Sequence, residues 1–176
     1  VALVLEEVDR MEALVEELRL LARSERPDFL EPSPTDVGEL VSSVGRKAAA
    51  MGARDWAVEA EVDAVVRLDA RRVTQALLAL VDNALHVTDE TDAIEIGAEV
   101  QGDEVVLWVR DSGPGIAAED LPTLFDREGR TVARRPGGTG LGLPIVAAVA
   151  RAHHGAVAAA STVGEGTRID VRLPRG

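Results

Sequence analysis

The sequence predicts an α+β sandwich preceded by a coiled-coil-like helix. Three observations point there. Several segments repeat apolar residues at helical spacing, others read as short strands joined by tight turns, and the two kinds mix without the regular alternation of a doubly wound sheet. With 176 residues, 46% of them hydrophobic, the chain has enough apolar surface for a real core. That core must be aliphatic, because the only aromatics are Phe29, Trp56, Trp108 and Phe125.

Residues 1–24 come first. Val1, Val4, Val8, Met11, Val15, Leu18 and Ala22 recur at alternating steps of three and four, with glutamates and Arg19 between them. This is a heptad seam, widened by Leu14 and Leu21, and it predicts a helix that packs in a bundle with a second copy or an upstream helix, the plain alternative being the chain's own body. Residues 25–34 are rich in proline and acids and predict a linker with one short edge strand; a domain over 35–176 follows. Asp36 is placed to cap a helix over about 37–50, and strands are expected at about 57–62 and 64–68. Asp69 then caps a helix running to about Val87, with Val73, Leu77, Leu80, Ala84 and Val87 on its buried side. Strands at about 93–100 and 104–110 flank a Gln101-Gly102-Asp103 turn. A short helix near 117–125, an arginine-rich loop, a helix over about 141–154 ending at Gly155, and strands at about 156–162 and 167–173 complete the pattern.

Composition removes several functions. The scarcity of aromatics and a net charge of −12 argue against nucleic acid as a partner, since base stacking and phosphate attraction are both missing. With no cysteine there is no disulfide framework, zinc-thiolate site or thiol catalysis. The single lysine, Lys47, is followed by Ala48, so no P-loop signature is present. No segment reaches about 18 consecutive apolar residues, and no signal sequence opens the chain, which predicts a cytoplasmic piece without direct membrane contact. The start at Val1 in mid-pattern, without a methionine, reads as a fragment of a longer protein.

Three stretches carry chemistry. GGTGLGLPIV at 137–146 places four glycines in six residues just before a helix, where exposed amides and the helix dipole favour an anion. Taken alone it reads equally as a glycine turn. In VVLWVRDSGPGI an apolar strand delivers Asp111 to a rim where it can accept a hydrogen bond from an exocyclic amine, and Gly113 and Gly115 allow a tight wrap; the plain alternative is an ordinary loop. In QALLALVDNALHVT the Asn83 carboxamide can ligate a hard cation such as magnesium, and His86 on the same face can reach a phosphate; the plain alternative is a solvated asparagine.

Taken together and in order, LVDNALHVT, DSGPGI at 111–116, LFDRE at 124–128, GGTGLGLPIV and STVGEGTRIDVRLP resemble the ATP-binding domain of bacterial sensor histidine kinases. They match its asparagine, first-glycine, phenylalanine, second-glycine and third-glycine boxes, and the resemblance covers about residues 30–174. The heptad segment resembles the second helix of that family's dimerisation and phosphotransfer bundle. The resemblance implies the Bergerat fold, a two-layer sandwich of a mixed, mostly antiparallel sheet and three helices, with ATP between the helical layer and a lid. It implies Asp111 on the adenine amine, with Gly113 and Gly115 shaping the base pocket and Ile116 and Phe125 among the nucleotide-binding residues. It implies magnesium on Asn83, and backbone donors to phosphate from Gly138, Thr139, Gly140, Leu141 and Gly142, with Thr167 from the third-glycine box completing the site. Residues about 126–138 become the lid, whose Arg127, Arg130, Arg134 and Arg135 can balance phosphate charge, Arg127 and Arg135 being the chosen contacts. Asn83 and His86 are the residues assigned to catalysis.

The match has departures. Ala79 stands where the family usually carries a second asparagine, and Glu128 where a second aromatic is common. His86, His153 and His154 all lie in the nucleotide-binding half, so the phosphoacceptor histidine is expected on a bundle outside this chain. The implied partners are a second copy through the N-terminal helix and a response regulator, with inner-membrane anchoring open for the full-length protein. Competing readings are a degenerate ATP-sensing or dimer-interaction module, a related ATPase of the gyrase, MutL and chaperone type, and an anti-sigma serine kinase. Alanine at 79 cannot serve the ATPases as the water-activating base.

Overall fold

The computed structural model describes residues 2–24, 26, 28–125 and 141–175. In chain order the elements are α1 (Ala2–Arg23), β1 (Ser33–Asp36), α2 (Val37–Ala49), β2 (Asp55–Glu59), β3 (Val65–Leu68), α3 (Ala70–Leu85), β4 (Ala93–Gln101), β5 (Glu104–Asp111), a single 3-10 turn (Leu121–Thr123), α4 (Gly142–Ala152), β6 (Ala156–Thr162) and β7 (Gly166–Pro174). The main sheet has the order β2-β4-β5-β7-β6 and is antiparallel except for the parallel β2–β4 pair. β1 and β3 form a separate antiparallel ribbon. The sandwich expected from the sequence is therefore present, with helices on one face of the sheet.

Alternation along β5 decides which face is covered. Val105, Leu107 and Val109 join Ile94, Ile96, Ile169 and Val171 in the core shared with α2, α3 and α4. Two of those helices start on a carboxylate: Asp36 accepts from the Glu39 N–H at 2.9 Å, and Asp69 accepts from the Arg72 N–H at 3.0 Å. Asp69 is buried and its second oxygen accepts from the Glu31 N–H at 2.9 Å. Its own N–H donates to His153 Nε2 at 3.0 Å, while His153 Nδ1 donates to Val149 O at 2.8 Å. That buried histidine thus ties the end of α4 to the start of α3 with both ring nitrogens satisfied. The predicted linker is partly structured: Phe29 is buried beneath the Arg72 guanidinium, 4.4 Å from its ring centre.

Four boundaries differ from the sequence reading. β2 runs over Asp55–Glu59 rather than 57–62, because it pairs with β4 only from Asp55↔Ala93 to Glu59↔Gly97 and the chain then turns, the Val62 N–H bonding to Ala60 O. α3 stops at Leu85 instead of Val87. The helix expected near 117–125 is only the 3-10 turn, since Pro122 supplies no donor. α4 ends at Ala152, and the left-handed residue after it is His154 (φ +60), not Gly155. The His154 N–H bonds to Arg151 O at 2.9 Å and the Gly155 N–H to Ala150 O at 2.8 Å, a Schellman arrangement. Gly155 is needed for a different reason: a Cβ there would collide with the Arg172 carbonyl.

On the outer face of the sheet Trp108 is buried under Arg168, whose guanidinium lies 4.6 Å from the ring centre. Arg168 forks to Glu99 at 2.6 Å and Asp170 at 2.7 Å. The hydrogen bond from Arg168 is the largest influence holding the Glu99 carboxyl below its ordinary value of 4.5. A depressed folded value means that the pair's contribution is present above pH 4.5 and is lost as pH falls through the folded value. Because the pair is partly exposed, its worth is under about 1 kcal/mol. Urea denaturation of the Arg168→Met variant should therefore show a smaller acid loss of stability than the wild-type chain between pH 5 and pH 3, at about the same slope against urea. Independently, His154→Gly should raise the unfolding free energy by about 0.5–1 kcal/mol, since it removes a left-handed side-chain residue; a loss of stability would contradict the backbone assignment.

Candidate nucleotide site

β5 delivers Asp111 to the end of the sheet between Ile94 of β4 and Thr167 of β7, with both polar residues buried. A carboxylate in that setting needs hydrogen-bond donors, and Gly113 supplies one: its N–H donates to Asp111 Oδ1 at 2.9 Å. The turn is forced by close approach as well as by torsion. Gly115 has φ +72 and Gly166 has φ +101. A Cβ on Gly115 would strike the Thr162 carbonyl, and one on Gly166 would strike the carbonyl of Asp111 itself. The loop after β5 is thus pressed onto the β6–β7 hairpin, with the Gly164 N–H bonded to Pro114 O at 2.8 Å and the Ile116 N–H to Ser161 Oγ at 2.8 Å.

The opposite wall is the end of α3. A Cβ on Gly113 would lie 3.1 Å from Val87 O and 3.3 Å from Thr88 Cγ2. Thr88 is itself fixed: its hydroxyl donates to Ala84 O at 2.8 Å and accepts from Arg54 Nε at 2.8 Å. Arg54 Nη2 also donates to Leu85 O at 3.0 Å and Thr88 O at 2.8 Å, closing the C-terminus of α3 from β2's leading end. Nothing in the sequence reading singled out Arg54. Its signal was a basic residue just before a predicted strand, and only the fold brings it beside the last carbonyls of a helix 31 residues on.

Along α3, Ala79 and Asn83 lie one turn apart on one stripe, and Val87 follows just beyond the helix end. Gly113 sits at the Val87 end. At the Ala79 end lies Gly142, the first residue of α4. Asn83, half-buried, lies along the chain between Ala79 and Val87. His86 caps α3, with Nδ1 2.7 Å from Asp82 O and 3.5 Å from the Asp82 carboxylate.

α4 begins differently from α2 and α3. It has no side-chain cap: Leu141 occupies the N-cap position. The first intrahelical bond is Ile145 N–H to Leu141 O at 3.0 Å, and Pro144 brings no donor. The N–H groups of Gly142 and Leu143 are therefore outside the helical ladder. Among the described residues a Cβ on Gly142 would meet only Ala79 O at 3.7 Å and Ala79 Cβ at 3.8 Å, ordinary contact distances. Neither its torsion nor its described neighbours demand a glycine at 142.

Asn83, His86, Asp111, Gly113, Gly115, Ile116, Leu141, Gly142 and Thr167 are all described; contacts join Asp111, Gly113, Gly115, Ile116 and Thr167 at the β5 end of the sheet, Gly113 to the residues after α3, and Gly142 to Ala79 of α3, the helix that carries Asn83 and is followed by His86. Phe125 is half-buried against the core. Arg127, Arg130, Arg134, Arg135, Gly138, Thr139 and Gly140 lie outside the described residues.

The sequence pattern of the family described as histidine kinase-, DNA gyrase B-, and HSP90-like ATPase matches residues 68–176. The chain belongs to that family. Among relatives, a probable sensor histidine kinase HK of Mycobacterium tuberculosis (strain CDC 1551 / Oshkosh) is 36% identical over 173 residues, 97% of this chain and 45% of the relative. The probable sensor histidine kinase TcrY of M. tuberculosis (strain ATCC 25618 / H37Rv) is 37% identical over 173 residues, 96% of this chain and 36% of its own length. Among solved structures, full-length ShkA in complex with AMPPNP superposes with a TM-score of 0.78 at 27% identity, covering 96% of this chain and 36% of ShkA. The chain thus spans less than half the length of these relatives, and it is homologous to the catalytic ATPase domain of sensor histidine kinases. The matched span contains Asn83, Asp111, Gly142 and Thr167.

Within this ATPase-family frame the unconstrained Gly142 yields a clean test. Gly142→Ala should leave folding intact or raise stability by about 0.5–1 kcal/mol, while ADP affinity falls about tenfold because the methyl meets the phosphates rather than the protein. Calorimetric titration paired with thermal unfolding measures both; undiminished affinity would show that no phosphate approaches that helix start.

Proposed function

We propose that the chain binds ATP and acts as the catalytic domain of a two-component sensor histidine kinase, donating the γ-phosphoryl group to a histidine on a separate dimerisation helix. The observation that carries this is the pairing of a buried Asp111 on a glycine-tightened turn with an uncapped, side-chain-free helix start at Gly142, bridged by the α3 stripe that bears Asn83. Asp111 accepts from the adenine amine, and the loop from Gly113 to Ile116 shapes the base pocket. The amides at Leu141 and Gly142 face the phosphates, joined by Gly138, Thr139 and Gly140 of the second glycine box. Arg127 and Arg135 balance phosphate charge from the lid, and His86 lies one turn beyond Asn83 at the rim.

Magnesium fits this donor set. Among the described residues no group of three or more acidic, histidine or cysteine side chains can hold a metal, and the Asn83 carboxamide offers one hard oxygen. Magnesium keeps several waters and takes few protein ligands, the rest coming from substrate phosphates. When bound it neutralises charge developing on the transferred group. The chain's own contribution is positioning: it holds base and phosphates so that an incoming imidazole can attack in line.

The seam of α1 supports the partner side of the proposal. Leu20 and Leu21 are buried and α1 packs on α4, while Val8, Met11, Val15 and Leu18, at heptad spacing, are 45%, 58%, 47% and 47% exposed. Such a stripe is the geometry of a helix bundle, and a second copy in the full-length protein supplies the partner. Phosphotransfer then continues to a response regulator. No described helix is long and apolar enough to cross a membrane; the proposed setting of this domain is cytoplasmic, with any inner-membrane anchor elsewhere in the protein.

Ala79 favours a second reading, an ATP-sensing module without transfer, because a methyl group stands where a second amide is usual. The two separate on one experiment. The chain alone, given labelled ATP and magnesium, should acquire no acid-labile, base-stable phosphate. Joined to an upstream segment carrying a phosphoacceptor histidine, the protein should become labelled there; a protein that binds ATP and stays unlabelled would establish the sensing module.

A further inference from the structure

Ser161 opens the third-glycine box but was given no role in the sequence reading, and its hydroxyl is a hub of hydrogen bonds close to Thr167, the register partner of Asp111. On β6, Val157, Ala159 and Ser161 are half-buried, while the intervening residues face solvent. Ser161 is thus the hydroxyl in an otherwise aliphatic row. Its Oγ lies 2.8 Å from the Ile116 amide nitrogen, 2.8 Å from Gly166 O and 2.9 Å from Thr167 Oγ1.

Those three contacts determine where the protons are. A hydroxyl has one proton and two lone pairs. Gly166 O cannot donate, so the Ser161 proton must lie on that contact; otherwise two sets of lone pairs would face each other at 2.8 Å. The Ile116 N–H occupies one Ser161 lone pair. Only a lone pair remains for the contact with Thr167, so Thr167 must be the donor there. The Thr167 hydroxyl, its proton spent on Ser161, has only lone pairs to offer any other group.

Thr167 is buried directly opposite Asp111 in the β5–β7 register. Side chains so paired leave the same face of the sheet with Cβ atoms about 4.5–5.5 Å apart. We propose that Ser161 is a specificity-determining positioning residue: by holding the Thr167 hydroxyl as an acceptor, it makes Asp111 and Thr167 a double-acceptor rim that admits a 6-amino purine and rejects a 6-oxo purine. A 6-amino group brings donors to that rim. A 6-oxo group sets a further acceptor against that rim and leaves only the neighbouring N1–H to donate there, a donor–acceptor mismatch of the kind by which hydrogen-bonding sites discriminate. The same Ser161 oxygen anchors the loop after Asp111 through Ile116, so one side chain sets both the loop and the proton.

This assignment rests on the ATP reading above. The test uses the whole 176-residue chain, with ADP and inosine diphosphate each competed against a fluorescent ATP analogue and the ADP:IDP affinity ratio as the readout. Ser161→Ala frees the Thr167 proton to turn toward the base and should lower the ratio by about tenfold. Ser161→Thr, which keeps a hydroxyl, should restore most of it. Thr167→Val should lower the ratio similarly, and adding Ser161→Ala to it should lower the ratio no further. Equal weakening of ADP and IDP in Ser161→Ala, or an unchanged ratio, would overturn the assignment, as would Ser161→Thr behaving like Ser161→Ala. Should Ser161→Ala fail to fold by thermal unfolding, Thr167→Val decides: an unchanged ratio there overturns the proposal. A wild-type chain that binds no ADP contradicts the nucleotide reading itself, whereas one that binds ADP with a ratio indifferent to Ser161 overturns only this step.

Discussion

The structure depends on one constraint: a buried carboxylate held at the end of a central strand by backbone that has been brought too close for side chains. Asp111 lies between β4 and β7, Gly113 donates to it, and Gly166 presses against its carbonyl. An ionisable group in such a place is costly unless it is hydrogen-bonded, so the surrounding chain is committed to satisfying it. The glycines of the third box are therefore not loop filler. Gly166 lets β7 enter the sheet at the level where Thr167 meets Asp111, and Gly115 folds the following loop against Thr162.

The helices divide the remaining work by how they begin. α2 and α3 close their first turns on Asp36 and Asp69, and the second of these is locked from two sides by Glu31 and His153. α4 has no side-chain cap at its N-cap residue, Leu141, and its first residue, Gly142, lies beside Ala79. The same physical rule, that the first amides of a helix require acceptors, is satisfied internally in two helices and in the third leaves donors for an anionic ligand. A net charge of −12 makes such a local concentration of donors the more necessary for a phosphate to approach.

Much of this was legible in the residues because the relevant chemistry is local. Asp36 and Asp69 read as caps from their position before apolar periodic runs, and the β4–β5 hairpin read from its Gln101-Gly102-Asp103 turn. The places of Asp111 at the end of an apolar strand and of Asn83 on a helix were legible from local pattern, whereas the roles proposed for them came only with the order of the boxes taken together. What escaped depended on partners far apart in the chain. Arg54 gains its meaning from Thr88, and Ser161 from Ile116 and Thr167. His154 shows a different limit: the sequence ended the helix at Gly155, whereas the left-handed residue is His154 and contact with Arg172 reserves that glycine for close packing. Pro122 cut a predicted helix to one 3-10 turn because its missing donor outweighed the surrounding helical preference.

The N-terminal helix carries the connection outward, its buried Leu20 and Leu21 tying it to α4 and its exposed seam awaiting a partner. In the proposed function all of this takes its meaning from a purine seated at Asp111. Calorimetric titration of ADP into the wild-type chain and into Asp111→Ala, each shown to be folded, tests that most directly. Saturable binding by the wild type and its loss in the variant is the result expected; equal affinity in both, or no binding by the wild type, would contradict the account.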